Sequence, residues 1–477
     1  MELIKSSTKL FVARFSNAVL TFVGLAYFAQ RIPQSALGTF FLYQSILQLL
    51  SIPASFGQGG ALVKRLSEDI NREQFFGTSI ALMIIATTLT GILVFIASPV
   101  VNWYFKTDLV LWLILGIVVV RLNRLGIGVL KGELRVGSTA DILFFQKLVW
   151  VVGGALLIYR GFAVRALVIS FILGNLVAAG LAFYRMSTRI GRPTLYHARS
   201  LIQYWKWSSV SFVDGYLYNW ADITILGYFV GPAVVAAYEI AWRIGSLAMI
   251  FTESIETALL PEISNLNMQK ETDKIRGHIS DGIFLSFFLV FPITAGAFSV
   301  GEDILTIIFG QEYVIAAIPL LILLLGKQIE VIDRIYKNVL SGIDKPRYRA
   351  IAALTSGVGN VVLNIALIPL YGAVGAAVAT SVAFTISTII IVYYLNVEME
   401  LVFPSAQVLT IGVSATVMGV AVFALSSVIG INSVYDLAFI IVSGAVVYGV
   451  QCALFQTSRK PLIRFARTVL PVTRSRA

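Results

Sequence analysis

The 477-residue chain is poor in cysteine, in histidine and in charge: one Cys, two His, and 13% charged residues against 58% hydrophobic. A lone cysteine, Cys452, excludes a disulfide framework within the chain and any cysteine metal cluster. His197 and His278 lie beside charged loops and far apart in sequence, so no metal site is expected. No GxxxxGK[ST] segment occurs, which leaves the chain without a phosphate loop for ATP. No short apolar run precedes a small-residue cleavage motif either. The opening "MELIKSSTKLFVARFSNAVL" carries charge as far as Arg14, and its span is expected to stay as an anchor. A soluble domain is about half apolar and about a quarter charged. With a mean hydropathy of +0.86, this chain reads instead as an all-α integral membrane protein.

Long apolar runs are what it has in abundance. Stretches of roughly 20 apolar residues place helices near 8–30, 36–62, 76–102, 109–131, 139–160, 163–186, 204–230, 234–260, 278–300, 314–340, 348–370, 373–396, 405–427 and 435–456, fourteen in all. Lys and Arg gather in alternate connections. One set holds Lys5 and Lys9, then Lys64, Arg65 and Arg72, then Arg135, then Arg185, Arg189, Arg192 and Arg199. The same set continues with Lys270, Lys274 and Arg276, with Lys345, Arg347 and Arg349, and with the tail "SRKPLIRFARTVLPVTRSR". The opposite set has little beyond Arg31, Lys106, Arg160 and Arg165. The positive-inside rule then predicts a multi-pass plasma (inner, cytoplasmic) membrane protein with both termini cytoplasmic. The net charge of +11 is a topology signal rather than a nucleic-acid footprint.

The chain also repeats itself. "LGIVVVRLNRLGIGVLKG" (115–132) aligns with "LGKQIEVIDRIYKNVLSG" (325–342), pairing Gly116 with Gly326, Arg124 with Arg334, Leu130 with Leu340 and Gly132 with Gly342 at an offset of 210. Pro33 and Pro232 mark a second match at an offset of 199. Six helices in 1–186 therefore recur as six in 204–396, joined by a cytoplasmic linker, 187–203. Two further helices occupy 397–457, and a basic cytoplasmic tail 458–477. Each repeat has an even helix count, so the lobes are parallel repeats about an axis along the membrane normal, an arrangement of secondary transporters.

Two six-helix lobes plus two helices, with "ILGYFVGPAVVAAYEIAWRI" and "YGAVGAAVATSVA" in the second lobe, resemble the polysaccharide-flippase branch of the multidrug, oligosaccharidyl-lipid and polysaccharide exporter superfamily. The resemblance spans about 460 residues. That branch's spaced D…G…GP…Y texture is present as Asp222, Gly227, Gly231, Pro232 and Tyr238. The resemblance implies a flippase that carries a lipid-linked oligosaccharide, a polyprenyl phosphate or diphosphate sugar, from the cytoplasmic to the outer leaflet by alternating access. No soluble catalytic domain, long periplasmic loop or nucleotide-sugar motif is present, so neither catalysis nor a cofactor is expected. Acidic residues such as Asp222 could relay H+ or bind Na+, with the membrane potential as the other source of coupling. Partners would be the lipid-linked oligosaccharide, membrane lipid and glycan-assembly proteins, with a functional monomer and no nucleic acid. The alternative within the superfamily is a cation-coupled exporter of drugs or small metabolites.

Charges inside spans cost about 2.5–3.5 kcal/mol each on insertion scales, so they face a cavity or a partner. In the tenth helix Lys327, Glu330, Asp333, Arg334 and Lys337 fall within about 120° at 100° per residue, opposite an apolar face. Lys327 lies about 18 Å down a core of about 30 Å, too deep to be the wet end of a helix. Arg334 and Lys337 could equally snorkel to the cytoplasmic interface. The seventh helix holds Asp214 and Asp222, and the eighth holds Glu239 and Arg243, an i, i+4 pair that can neutralise itself, followed by Glu253 and Glu256. In the first lobe Arg14 and Asn17 open the first helix, Arg121 and Arg124 lie in the fourth, and Lys147 in the fifth. The lining expected for the path is Arg14, Asn17, Arg124, Lys147, Asp214, Asp222, Glu239, Arg243, Lys327, Glu330 and Arg334. Asp222 reads either as a functional acid or as a hydrogen bond holding two helices. The cations suit a phosphate crossing a low-dielectric core.

Overall fold

The computed structural model describes residues 2–55, 59–457 and 459, and the side chains of all but 2–14 and 206–214 among these. The side chains of Arg14 and Asp214, and nearly all of the basic tail, lie outside what is described.

Sixteen α-helices follow one another along the described chain. They are α1 (Glu2–Arg31), α2 (Gln34–Ser51), α3 (Gly60–Ser67), α4 (Arg72–Ile96), α5 (Ser98–Phe105), α6 (Val110–Gly132), α7 (Thr139–Tyr159) and α8 (Val164–Arg185). Then come α9 (Leu195–Asn219), α10 (Ala221–Phe229), α11 (Pro232–Met268), α12 (Thr272–Ile304), α13 (Ala317–Gly342), α14 (Pro346–Glu398), α15 (Ser405–Ile429) and α16 (Val434–Leu454). Among the described residues ten helices are long and apolar enough to cross a membrane, or eleven if α2 and the segment 53–67, bent by 50°, count as one span. The protein is a multi-pass helical membrane protein.

Three expected spans are broken. The span expected over 36–62 is interrupted by Pro53 and by Gly59 at φ 75°. The one over 76–102 breaks at Ala97, because Pro99 cannot donate the amide that would continue α4 into α5. The one over 204–230 breaks at Trp220, which leaves helical geometry at φ −140°. In the other direction, α14 runs through two expected spans in 53 residues and turns between them at Gly372, φ 55°.

The repeat is written into the backbone. Left-handed residues mark equivalent junctions in the two halves, at Asn71 and Lys270, Lys106 and Gly310, Leu134 and Asp344, and Gly161 and Gly372. Helices α6 and α13 also end identically. Arg135 N donates to Leu130 O (2.9 Å) and Leu134 N to Lys131 O (3.0 Å), as Lys345 N does to Leu340 O (2.8 Å) and Asp344 N to Ser341 O (3.3 Å). This pair of hydrogen bonds closes a helix with one residue in left-handed geometry. The repeat mates Gly116 and Gly326 are both contact points: a Cβ there would collide with the Tyr43 hydroxyl or with Ser381.

The chain forms two compact units, Met1–Glu239 and Ile240–Ala477. The first takes in α9, which packs on α3 and α4, and α10, which packs on α2, beyond the six helices of the expected N-terminal lobe. Its interior includes Phe40 stacked on Trp150 at 5.7 Å with Phe28 edge-on to the same ring. In the second unit Ile263, Ile283, Phe284, Val331, Ile335 and Val339 build a continuous core. The last two helices dock on α12, where Ser299 Oγ donates to Gly419 O (2.8 Å) and Tyr448 Oη to Phe288 O (2.9 Å).

Candidate functional site

Helix α13 presents one apolar and one ionic face, and the second unit buries the start of the ionic face most deeply. Lys327 and Glu330 are each 1% exposed and Asp333 3%. Lys327 Nζ meets Glu330 Oε2 at 2.7 Å and lies 3.7 Å from the centre of the Trp242 ring, with Phe384 farther off at 5.4 Å. The other Glu330 oxygen takes Arg334 Nε at 2.6 Å. Arg334 then turns its Nη1 toward α11, where Glu256 (3.4 Å) and Glu253 (3.7 Å) wait at longer range. Lys337 pairs with Asp333 at 2.7 Å, and Asn338 Nδ2 donates to Glu256 O at 2.6 Å. Spacing of three and four residues on one helix brings these groups together.

The gradient along the cluster matters. Lys327 and Glu330 are sealed, whereas Arg334 is about a quarter exposed and Glu253 42% exposed. At Arg334 a short, buried carboxylate bond thus holds one edge of the guanidinium, while the outer edge faces two long, half-wet contacts. An anionic oxygen from a ligand could take the place of either glutamate there, since a guanidinium fork donates to carboxylate and phosphate oxygens alike.

In the first unit Arg121 is buried and Arg124 exposed on α6, with Arg124 Nη2 donating to Gln48 Oε1 on α2. Between them Asn123 bonds Asn175 of α8 (3.0 Å), which also accepts from Gln146 of α7 (3.0 Å). Lys147 is half-buried with its ammonium 5.4 Å from the Trp150 ring. Asn17 Oδ1 is a buried acceptor without a hydrogen-bond partner among the described residues.

Asp222 accepts two hydrogen bonds. Tyr238 Oη donates to its Oδ2 at 2.5 Å and the Ile223 amide to its Oδ1 at 2.9 Å. The two ends of the D…G…GP…Y pattern therefore touch, clasping α10 to the start of α11 across the turn at Gly231, φ 116°. Two residues on, Thr224 joins the hydroxyls of Ser45 and Tyr216, and Tyr104 Oη donates to Thr224 O at 2.8 Å. Glu239 is buried and Arg243 half-buried, one turn apart on α11.

Of the expected lining, then, Lys327, Glu330 and Arg334 are brought into one cluster. Arg124 and Lys147 stand on neighbouring elements of the first unit. Sequence reasoning placed Glu253 and Glu256 at a helix end without linking them to Arg334, and missed Trp242, Asn338, Asn123 and Asn175. The polar Asn pair had a signal, being amides inside apolar spans. Trp242 had none, because an aromatic beside Arg243 reads like any other core residue.

Comparison with known proteins follows the same architecture. The profile of the family described as polysaccharide biosynthesis protein matches residues 31–318. The chain is 34% identical over 472 residues to the probable low-salt glycan biosynthesis flippase Agl15 of Haloferax volcanii, covering 99% of this chain and 100% of that one. It is 28% identical over 448 residues to the probable flippase AglR of the same organism, 91% and 92% of the two chains. Its fold matches the lipid II flippase MurJ in an inward closed conformation with a TM-score of 0.80, at 17% identity over 95% of this chain and 99% of that one. With a profile match over more than half its length and a full-length relative above 30% identity, the chain belongs to the polysaccharide biosynthesis protein family.

Proposed function

We propose that this protein is a flippase that moves a lipid-linked oligosaccharide, a sugar on polyprenyl phosphate or diphosphate, from the cytoplasmic to the outer leaflet by alternating access, for surface glycan assembly. The observation that carries this reading is the end-to-end similarity to Agl15, named as a glycan biosynthesis flippase. The intramembrane cations support it: Arg121, Arg124 and Lys147 in one unit, Lys327 and Arg334 in the other. A diphosphate crossing hydrocarbon needs such groups. The protein works in the plasma membrane with both termini cytoplasmic, the side to which the basic connections assign them. Transport draws on an H+ or Na+ gradient or on the membrane potential, and involves no bond-making step.

Deleting the gene in its host should leave lipid-linked glycan accumulating on the cytoplasmic leaflet, read by protection of the glycan from a membrane-impermeant lectin or glycosidase, and re-expression should reverse it. Normal glycan export together with increased sensitivity to cationic drugs would replace this reading with that of a drug exporter.

A further inference from the structure

Between α8 and α9 the chain runs as an extended strap across the ends of α4 and α6. It is pinned by its backbone. The amides of Ser187 and Thr188 and the Thr188 hydroxyl all donate to Glu133 Oε1, at 2.8, 2.7 and 2.8 Å. Gly191 N donates to Glu73 O at 2.9 Å, and Thr194 N to the Thr78 hydroxyl at 3.2 Å. Strap and α4 touch backbone to backbone, so closely that a Cβ on Gly77 would collide with the Gly191 carbonyl oxygen. At its end Thr194 caps α9 and bonds His197, which is buried edge-on against Phe75 at 4.4 Å.

The strap and the two helix ends that flank it expose their side chains: Ile190 is on the strap, Tyr184 is at the end of α8, and Leu195 and Tyr196 open α9. Tyr184 is 87% exposed, Ile190 64%, Leu195 90% and Tyr196 78%. Interleaved with them are Arg189, Arg192 and Arg199, all exposed. Among the described residues none of these three arginines forms an ion pair with a carboxylate. Large apolar side chains this exposed, on a pinned strap and on the helix ends beside it, mark a surface made to be covered. Rings and aliphatic tips beside unpaired guanidinium groups match one covering in particular, a headgroup layer whose acyl boundary takes the apolar tips and whose phosphates take the arginines.

We propose that residues 184–199 form a docking surface for anionic phospholipid headgroups. The surface lies on the face assigned above to the cytoplasm, and the proposal stands whichever substrate is carried. Contact with anionic lipid holds the start of α9 and, through Glu133 and Glu73, ties it to α6 and α4.

The test uses the full chain with Tyr196→Cys as the one accessible thiol, in a Cys452→Ala background, labelled with a polarity-sensitive fluorophore. The protein is reconstituted in vesicles of phosphatidylcholine alone or with phosphatidylglycerol added. Both leaflets then share one composition, so the outcome does not depend on orientation or on transport. The expected result is a larger blue shift and less acrylamide quenching in the anionic vesicles. High salt should erase the difference, because the screening length is about 3 Å at 1 M. Arg189→Gln/Arg192→Gln/Arg199→Gln should lose the lipid dependence, and each single substitution should lose part of it, which serves if the triple variant does not fold. Equal emission in the two vesicle types, or an undiminished difference in folded triple or single variants, would overturn the proposal.

Discussion

Lys327 shows what one buried charge demands. Its ammonium has left water entirely, and an unpaired ion in such a place costs several kcal/mol. Glu330 at 2.7 Å and the Trp242 face at 3.7 Å replace the lost hydration. Removing one partner strands the other, so Glu330→Met should destabilise the protein by about 3–5 kcal/mol. Lys327→Met/Glu330→Met should recover most of that loss, because Arg334 keeps Glu256 and Glu253 within reach. Thermal unfolding in detergent of the wild type, both single variants and the double variant checks this; a double variant no better than the worse single one would show that the pair is not the unit. The helical wheel already put these charges on one face. It could not show that Trp242 closes the site, since that contact comes from α11, a helix distant in sequence.

At the scale of elements, helix ends carry most of the information. Helix α6 stops at Gly132, Leu134 turns left-handed, and Glu133 is thereby aimed at the strap. Burial pushes the Glu133 carboxyl up, but the hydrogen bonds from Thr188 and Ser187 and the charge of Arg135 outweigh it and hold the group below the ordinary carboxylate range. A carboxyl lowered by folding contributes stability above its unfolded value, near about 4.3, and loses it as pH falls through the folded value. The wild type should therefore be more stable than Glu133→Gln at neutral pH, and the gap should narrow once pH drops below that window. Thermal midpoints measured as a function of pH decide it, and identical midpoints at every pH would mean the clasp contributes nothing. None of this was visible in the loop sequence "KGELRVGS", where Glu133 looks like any solvated charge. The turn at Gly372, by contrast, was legible, because two spans of about 20 apolar residues need a break between them whether or not the helix is continuous.

For the whole molecule, duplication supplies two related cations, Arg124 and Arg334, at the same register of α6 and α13. Their surroundings differ: Arg124 leans on the neutral amide of Gln48, Arg334 on three carboxylates. If both meet the phosphate of the carried lipid, Arg124→Gln and Arg334→Gln should each slow translocation by roughly 10- to 100-fold, the equivalent of one charge-assisted hydrogen bond of about 1.5–3 kcal/mol. Arg124→Gln should do so with almost no change in thermal midpoint, since it breaks no ion pair. Translocation of a fluorescent lipid-linked sugar in proteoliposomes is the measurement, and unchanged rates in both variants would remove these residues from the path.

The sequence alone established that this is a membrane protein, that it is duplicated, and which charges share a helix face. Those properties follow from the run lengths and periodicities a helix in hydrocarbon must obey, and both can be counted along the chain. Only the folded molecule decided which charges are sealed and which are reachable, that Asp222 is held by Tyr238, and that Glu133 holds a strap. Each of those outcomes depends on a contact between residues brought together by packing, where the partner's identity and distance, rather than the residue's own character, set the energy.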